Sequence, residues 1–321
     1  MRRTLMARIS WRQIHPWFCL KMEAITERLL GDRKCRLRTQ HQVSTTRNME
    51  ENIPVHDEFI YCLGAATQVL KFGPWRDLQK TSDEAPPKVL FLIIPEQDHQ
   101  TEDVFGLNGQ IEHKLFFLKQ NVPADVKLVL IGHSIGCYII LEMMRRSPEL
   151  KVLKSILLFP TIERMAQSPQ GKIMTPWLCS LRYVVYMPLY LLSFLPEIMK
   201  TYLVKLALSG IKSVDETSVV ASLNLFRMDC AANAMYMGSQ EMVKVVERDN
   251  ATIKQHLSKL IFYYGAVDNW CPVQYYEDIK KDFPKGNIWL CDKGYRHAFV
   301  LDSSKEVASL VINWLNEQPN L

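Results

Sequence analysis

The chain has 321 residues, 48% of them hydrophobic and 23% charged, enough for one large folded domain or at most two. Its net charge of +5 is concentrated at one end: residues 1–48 hold eleven Lys and Arg against three acids, leaving the rest of the chain at −3. A nucleic-acid partner needs a basic face on the folded domain, and nothing after residue 48 offers one, so nucleic acid is excluded as a partner.

Taken in order, residues 1–48 are Arg-rich and acid-poor, with a short apolar patch at Ile14–Leu20. They contain no long apolar core of a secretory signal, and read as a disordered basic extension. From Ile53 the pattern changes. Glu58-Phe-Ile-Tyr-Cys-Leu63 and Thr67-Gln-Val-Leu-Lys-Phe72 flank Gly64, which predicts a hairpin of two short strands. After a polar loop ending at Pro86-Pro87, Lys88-Val-Leu-Phe-Leu-Ile-Ile-Pro95 is a continuous apolar run, the mark of a strand buried on both faces. Val104, Leu107, Ile111, Leu115 and Leu118 recur at helical spacing.

Next comes Lys127-Leu-Val-Leu-Ile-Gly-His-Ser-Ile-Gly-Cys137. A buried strand runs into a tight turn, with Ser134 at its apex between Gly132 and Gly136, and then into a helix. Such a strained strand-to-helix turn pushes a serine hydroxyl out of the sheet edge, where a substrate reaches it. Without the flanking strand and helix the pentapeptide is a weak signal, and a serine that only caps the helix is the bland alternative. Leu153-Lys-Ser-Ile-Leu-Leu-Phe-Pro160 is another buried strand. The alternation predicts an α/β fold with a mostly parallel sheet and helices on both faces.

Residues 161–257 are helical in pattern, with an apolar centre from Trp177 to Leu195 that Pro188 interrupts and in which only Arg182 is charged. A membrane-spanning helix needs about 20 uninterrupted apolar residues. The segment therefore reads as a helical cap: a lid, a broken hairpin lying in a lipid surface, or a buried insertion. The core then resumes, with strands at Leu260–Gly265 and Asn287–Cys291 and helices at Gln274–Lys281 and Glu306–Leu315. The expected divisions are 1–48 extension, 49–160 first part of the core, 161–257 cap, and 258–321 second part of the core. The eight cysteines lack paired spacing and the eight histidines lack metal-ligand spacing, so free thiols, no metal and no cofactor are expected.

A serine hydroxyl needs a base to take its proton, and the base needs an acid to fix its tautomer. In this class of fold the chain order is serine, acid, histidine. Asp268 follows the strand ending at Gly265, and His297 follows the next strand. These two are the expected acid and base for Ser134. Glu163 and Asp292 are weaker substitutes for the acid, and His256 sits within a helical pattern.

With these motifs the chain resembles the α/β-hydrolase superfamily and, within it, the lipid droplet-associated serine hydrolases. The resemblance covers residues 50–318 and rests on Ile53-Pro-Val-His56, Gly106-Leu-Asn-Gly-Gln-Ile-Glu-His-Lys114, Leu158-Phe-Pro-Thr-Ile-Glu-Arg-Met165 and Tyr275-Tyr-Glu-Asp-Ile-Lys-Lys-Asp-Phe-Pro284. It implies a serine esterase acting on neutral lipid esters such as cholesteryl ester, resident on lipid droplets and the cytosolic face of the endoplasmic reticulum. Ser134, Asp268 and His297 match the family's triad positions. The stretch Trp177–Leu195 falls where the family has its droplet-targeting insertion, with Trp177, Tyr183, Tyr186, Tyr190 and Phe194 expected at the lipid surface.

One departure stands out. An acyl-transfer site takes one oxyanion donor from the N–H after the nucleophile, here Ile135, and another from the loop after the earlier core strand. In the family that loop resembles Gly-Asn-Pro-Gly. Here the sequence is Pro95-Glu-Gln-Asp-His-Gln-Thr-Glu-Asp103, without glycine. Between Pro95 and Lys127 there is room for one helix only, where the family pattern has helix, strand, helix. The sheet is therefore expected to be short of one strand, so that the hairpin re-pairs or leaves an edge exposed, and activity is expected to suffer. The alternative reading is a non-catalytic lipid droplet surface protein that influences neutral lipid storage.

Overall fold

The computed structural model describes residues 4–9, 55–63, 65–72, 89–94, 106–209, 219, 222–223, 226 and 228–317. Eight strands form one sheet: β1 (Thr4–Ile9), β2 (Val55–Cys62), β3 (Ala65–Phe72), β4 (Val89–Ile94), β5 (Lys127–His133), β6 (Val152–Leu158), β7 (Leu260–Gly265) and β8 (Asn287–Cys291). Their order across the sheet is β2-β3-β1-β4-β5-β6-β7-β8. From β1 through β8 every neighbouring pair is parallel. The predicted hairpin β2–β3 is antiparallel. The continuous apolar runs are buried as their composition requires, Leu128–Ile131, Ile156–Leu158 and Leu260–Tyr264 among them.

Helices flank the sheet. α1 (Leu107–Asn121) buries Leu107, Ile111, Leu115 and Leu118 as its spacing predicts, and with them Gln110, His113 and Lys114. α2 (Ile135–Arg146) packs on α1 and on β5 and β6. α8 (Val273–Asp282) packs on β7 and β8, and α9 (Ser304–Asn316) buries Val307, Ala308, Val311, Ile312 and Leu315. Between β6 and β7 lies the helical cap: α3 (Pro169–Thr175), a π turn at Pro176–Ser180, α4 (Arg182–Ser193), α5 (Glu197–Ala207), α6 (Met228–Lys244) and α7 (Asn250–His256). The mostly parallel sheet, the flanking helices and the interrupting helical segment follow the expected α/β plan.

Two expectations need correction. The sheet is not short of a strand, and residues 4–9 are not a disordered extension. Only one helix lies between β4 and β5 among the described residues, as the spacing requires. Yet the position between β3 and β4 is filled by β1, antiparallel to β3 through Met6↔Phe72 to Ile9↔Val69 and parallel to β4 through Thr4↔Val89 to Arg8↔Ile93. The physical reason is hydrogen-bond demand: an empty slot would leave facing rows of N–H and C=O groups on β3 and β4 unpaired inside the molecule. The remainder of the expected extension, residues 10–48, lies outside the described residues.

Candidate active site

Ser134 sits where β5 ends and α2 begins, with φ 55° and ψ −126°, a conformation that costs a non-glycine residue on the order of 1–3 kcal/mol. Packing over-determines it. A Cβ on Gly132 would lie 2.8 Å from the carbonyl carbon of Gly136 and 2.8 Å from Cδ1 of Ile140, so only glycine lets the helix pass this close to the strand. The Ser134 N–H donates to the carbonyl of Leu158 on the neighbouring strand (3.1 Å), which fixes the turn against β6.

Asp268 follows β7 and His297 follows β8, so both emerge at the carboxyl edge of the parallel strands where Ser134 emerges. Gly265 makes the turn to Asp268 possible, since a Cβ there would lie 2.5 Å from Phe159 and 3.1 Å from Cβ of Asp268. The structure brings the three side chains together. His297 Nε2 is 2.9 Å from Ser134 Oγ, and His297 Nδ1 is 2.6 Å from Asp268 Oδ2. With the proton on Nδ1, the imidazole donates to the carboxylate and accepts from the serine hydroxyl. Burial alone would push the Asp268 carboxyl up. Hydrogen bonds and charge from His297, with donors from Cys271 and Trp270, outweigh burial and hold it below the usual carboxylate range.

The other acids serve elsewhere. Glu163 is buried in an ion network with Arg248 (2.8 Å) and Arg164 (2.7 Å), and Asp292 is exposed after β8. His256 ends α7. Two neighbours of the site escaped the sequence reading. His133, the variable residue before Ser134, is 2.8 Å through Nε2 from the backbone carbonyl of His297, and burial, with the nearby His297, pulls its pKa down to about 3. It is therefore a neutral imidazole whose Nε2–H ties the turn to the histidine loop. Cys271 places Sγ 2.8 Å from Asp268 Oδ2. The signal for each was position alone: inside the pentapeptide for His133, three residues past the acid for Cys271.

Ile135 is buried and supplies the first N–H of α2, a donor with no partner earlier in its own helix. The loop Pro95–Asp103, where the second donor was expected to be missing, lies outside the described residues. Among the described residues one group could hold a metal ion, Asp268, Cys271 and His297, with ligand atoms within 4.8 Å of one another; hydrogen bonds already link these atoms.

Of the aromatic residues in the cap, Trp177, Tyr183, Tyr190 and Phe194 are exposed, Tyr183 and Phe194 by 69% and 68%. Tyr186 differs: it is half-buried, with its hydroxyl 3.4 Å from the carbonyl of Ala232 on α6. No residue of α4 is buried. On α5, Ile198, Met199, Tyr202 and Leu206 are likewise exposed. No helix among the described residues is long and apolar enough to cross a membrane.

Comparison with known proteins places the chain in a family. The sequence model of the lipid-droplet associated hydrolases matches residues 75–300. A chicken (Gallus gallus) lipid droplet-associated hydrolase is 56% identical, over 84% of this chain and 97% of its own length. The human (Homo sapiens) one is 45% identical, over the same shares of each chain. The chicken alignment runs over 314 positions but draws on 84% of the 321 residues here, fewer than 314, so part of that relative has no counterpart in this chain. At the level of fold alone, a crystal structure of an Acinetobacter baumannii protein superposes with a TM-score of 0.52 at 14% identity, covering 82% of this chain and 91% of its own. A thioesterase domain from the curacin biosynthetic pathway does so with a TM-score of 0.51 at 12% identity, covering 81% and 99%.

Proposed function

The chain belongs to the lipid-droplet associated hydrolase family, and from that premise we propose that it is a serine esterase cleaving neutral lipid esters of the cholesteryl ester kind at Ser134. The observation that carries the reading is the hydrogen-bonded chain Ser134–His297–Asp268 at the strained turn. In the reaction, His297 Nε2 takes the hydroxyl proton as Ser134 Oγ attacks the ester carbonyl. Asp268 stabilises the imidazolium that forms, and Nε2 then returns the proton to the departing alcohol. Water repeats the sequence on the acyl-enzyme. The Ile135 N–H faces the developing oxyanion, and loss of a second such donor typically costs about 10²–10³ in rate.

A fluorophosphonate probe tests this. It should label Ser134 slowly and leave Ser134→Ala unlabelled. Labelling as fast as that of a relative carrying the additional stretch would reject the impaired oxyanion site, and labelling that persists in Ser134→Ala would reject Ser134.

The exposed faces of α4 and α5 support residence on a lipid droplet or on the cytosolic face of the endoplasmic reticulum. Large apolar side chains are exposed along both helices, Tyr183, Met187, Tyr190 and Leu191 on the first and Ile198, Met199, Tyr202 and Leu206 on the second, and a helix of this kind lies in an interface rather than across it. The same face also favours a second reading, a non-catalytic droplet-surface protein. Imaging separates the two: droplet binding lost on deleting 177–195 and neutral lipid storage indifferent to Ser134→Ala would favour the second, and cytosolic fluorescence of the intact chain would reject lipid residence in both.

A further inference from the structure

We propose that Cys271 is a positioning residue of the reacting chain: its thiol donates to Oδ2 of Asp268 and holds that oxygen on Nδ1 of His297. The inference rests on reading Ser134–His297–Asp268 as the reacting chain. Every hydrogen-bonding position of the carboxylate nearest the site is occupied. Oδ1 accepts the backbone N–H groups of Trp270 (2.8 Å) and Cys271 (3.3 Å), and Oδ2 accepts from His297 Nδ1 (2.6 Å) and the Cys271 thiol (2.8 Å). One residue therefore grips both oxygens, one with its main chain and the other with its side chain. Sγ also lies 3.8 Å from Nδ1, directly beside the proton that imidazole and carboxylate share.

Cys271 is fully buried. Burial first, and then the charge of Asp268, push its thiol well above the ordinary range, so it stays S–H and remains a donor. The other titratable groups around the site leave this assignment intact. Burial keeps His133 neutral and raises Cys137, Tyr264 and Tyr275, and Ser134 is the hydroxyl being activated. The consequence is electronic as well as geometric. A thiol donor shares the charge on Oδ2; without it that oxygen attracts the Nδ1 proton more strongly and favours the imidazolium. Removing the donor therefore moves the protonation of His297 to higher pH and leaves the carboxylate free to rotate from it.

The test compares Cys271→Ala and Cys271→Val, which lack a donor, with Cys271→Ser, which keeps one. The titration of His297, followed by its imidazole resonances in NMR, should move to higher pH in Ala and Val and return towards the parent in Ser. Fluorophosphonate labelling of Ser134 should slow about tenfold in Ala and Val, the loss of one hydrogen bond to a charged group, with the acid limb of its pH profile displaced in the same direction. Val fills the space that Ala vacates, so the two agreeing excludes a packing effect. An unmoved His297 titration in Ala and Val, or a Ser variant that behaves like Ala, would overturn the proposal. Failure of the parent chain to label would count against Ser134 as nucleophile instead, and the NMR titration would still decide the role of Cys271.

Discussion

His133 shows how a residue that the pentapeptide pattern leaves variable acquires a role from its surroundings. Its ring packs edge-on against Phe299, with centroids 4.9 Å apart, and its Nε2–H reaches the carbonyl of His297 from 164 residues away. His133→Phe keeps the ring packing and loses the N–H, so we expect roughly tenfold slower labelling of Ser134 with the thermal midpoint little changed; His133→Gln, which keeps a donor, should recover part of the rate. Lys114 is the opposite case, a cation fully buried on α1 with its ammonium on Gln110 Oε1 at 2.8 Å. Burial pulls its pKa from 10.5 down to about 7. Between those values the unfolded chain binds more protons than the folded one, so this group makes stability rise with pH across that window, and its full penalty is felt below about 7. Lys114→Met should raise stability near neutrality and flatten the dependence above it, as urea denaturation at about pH 7 and about pH 9.5 would read.

Among the elements, the turn between β5 and α2 was legible because its chemistry is local: Gly132 and Gly136 approach closely, and Ser134 takes the left-handed conformation that this approach forces. The positions of Asp268 and His297 were legible from chain order, because successive parallel strands deliver their ends to one edge of a sheet. The fastening of the cap was not. Arg248, at the start of the segment leading to α7, has its side chain buried between Glu163, Asp282 and Asn250, joining the loop after β6 to α8. Its partners are scattered over more than a hundred residues, so no spacing rule finds them. Arg248→Ala leaves the buried Glu163 with one cation in place of two, and chemical denaturation should show a loss on the order of 3 kcal/mol. Tyr186 gives the same lesson. It lies three residues after Tyr183 and four before Tyr190 on the same helical face, with its ring 5.7 Å from that of Tyr183, yet its hydroxyl reaches the carbonyl of Ala232 on α6 and leaves it half-buried.

At the scale of the whole molecule the decisive feature is β1. Its six residues bridge the antiparallel hairpin and the parallel core, and the sheet is continuous only because they do. Deleting residues 1–10 should expose the facing edges of β3 and β4 and produce a lower, broader thermal transition with aggregation. Ala7→Pro removes an N–H from the middle of an interior strand and should act in the same direction. A deletion variant that melts as cooperatively as the full chain would show that the hairpin closes on β4 without β1.

The sequence by itself determined the parallel core, the strained turn at Ser134 and the order in which Asp268 and His297 follow it. Each of these is written in residues close along the chain, as apolar runs, paired glycines or the end of a strand. Only the tertiary structure decided what fills the slot beside β4, which thiol and imidazole lie against Asp268 and the loop of His297, and which aromatic rings of the cap stay exposed. Thr4–Ile9 carries Arg8 and sits in a strongly basic stretch, so composition marks it as solvated. Its pairing with residues sixty or more positions away is set by the unpaired backbone groups it meets there, and no local pattern in either segment records that meeting.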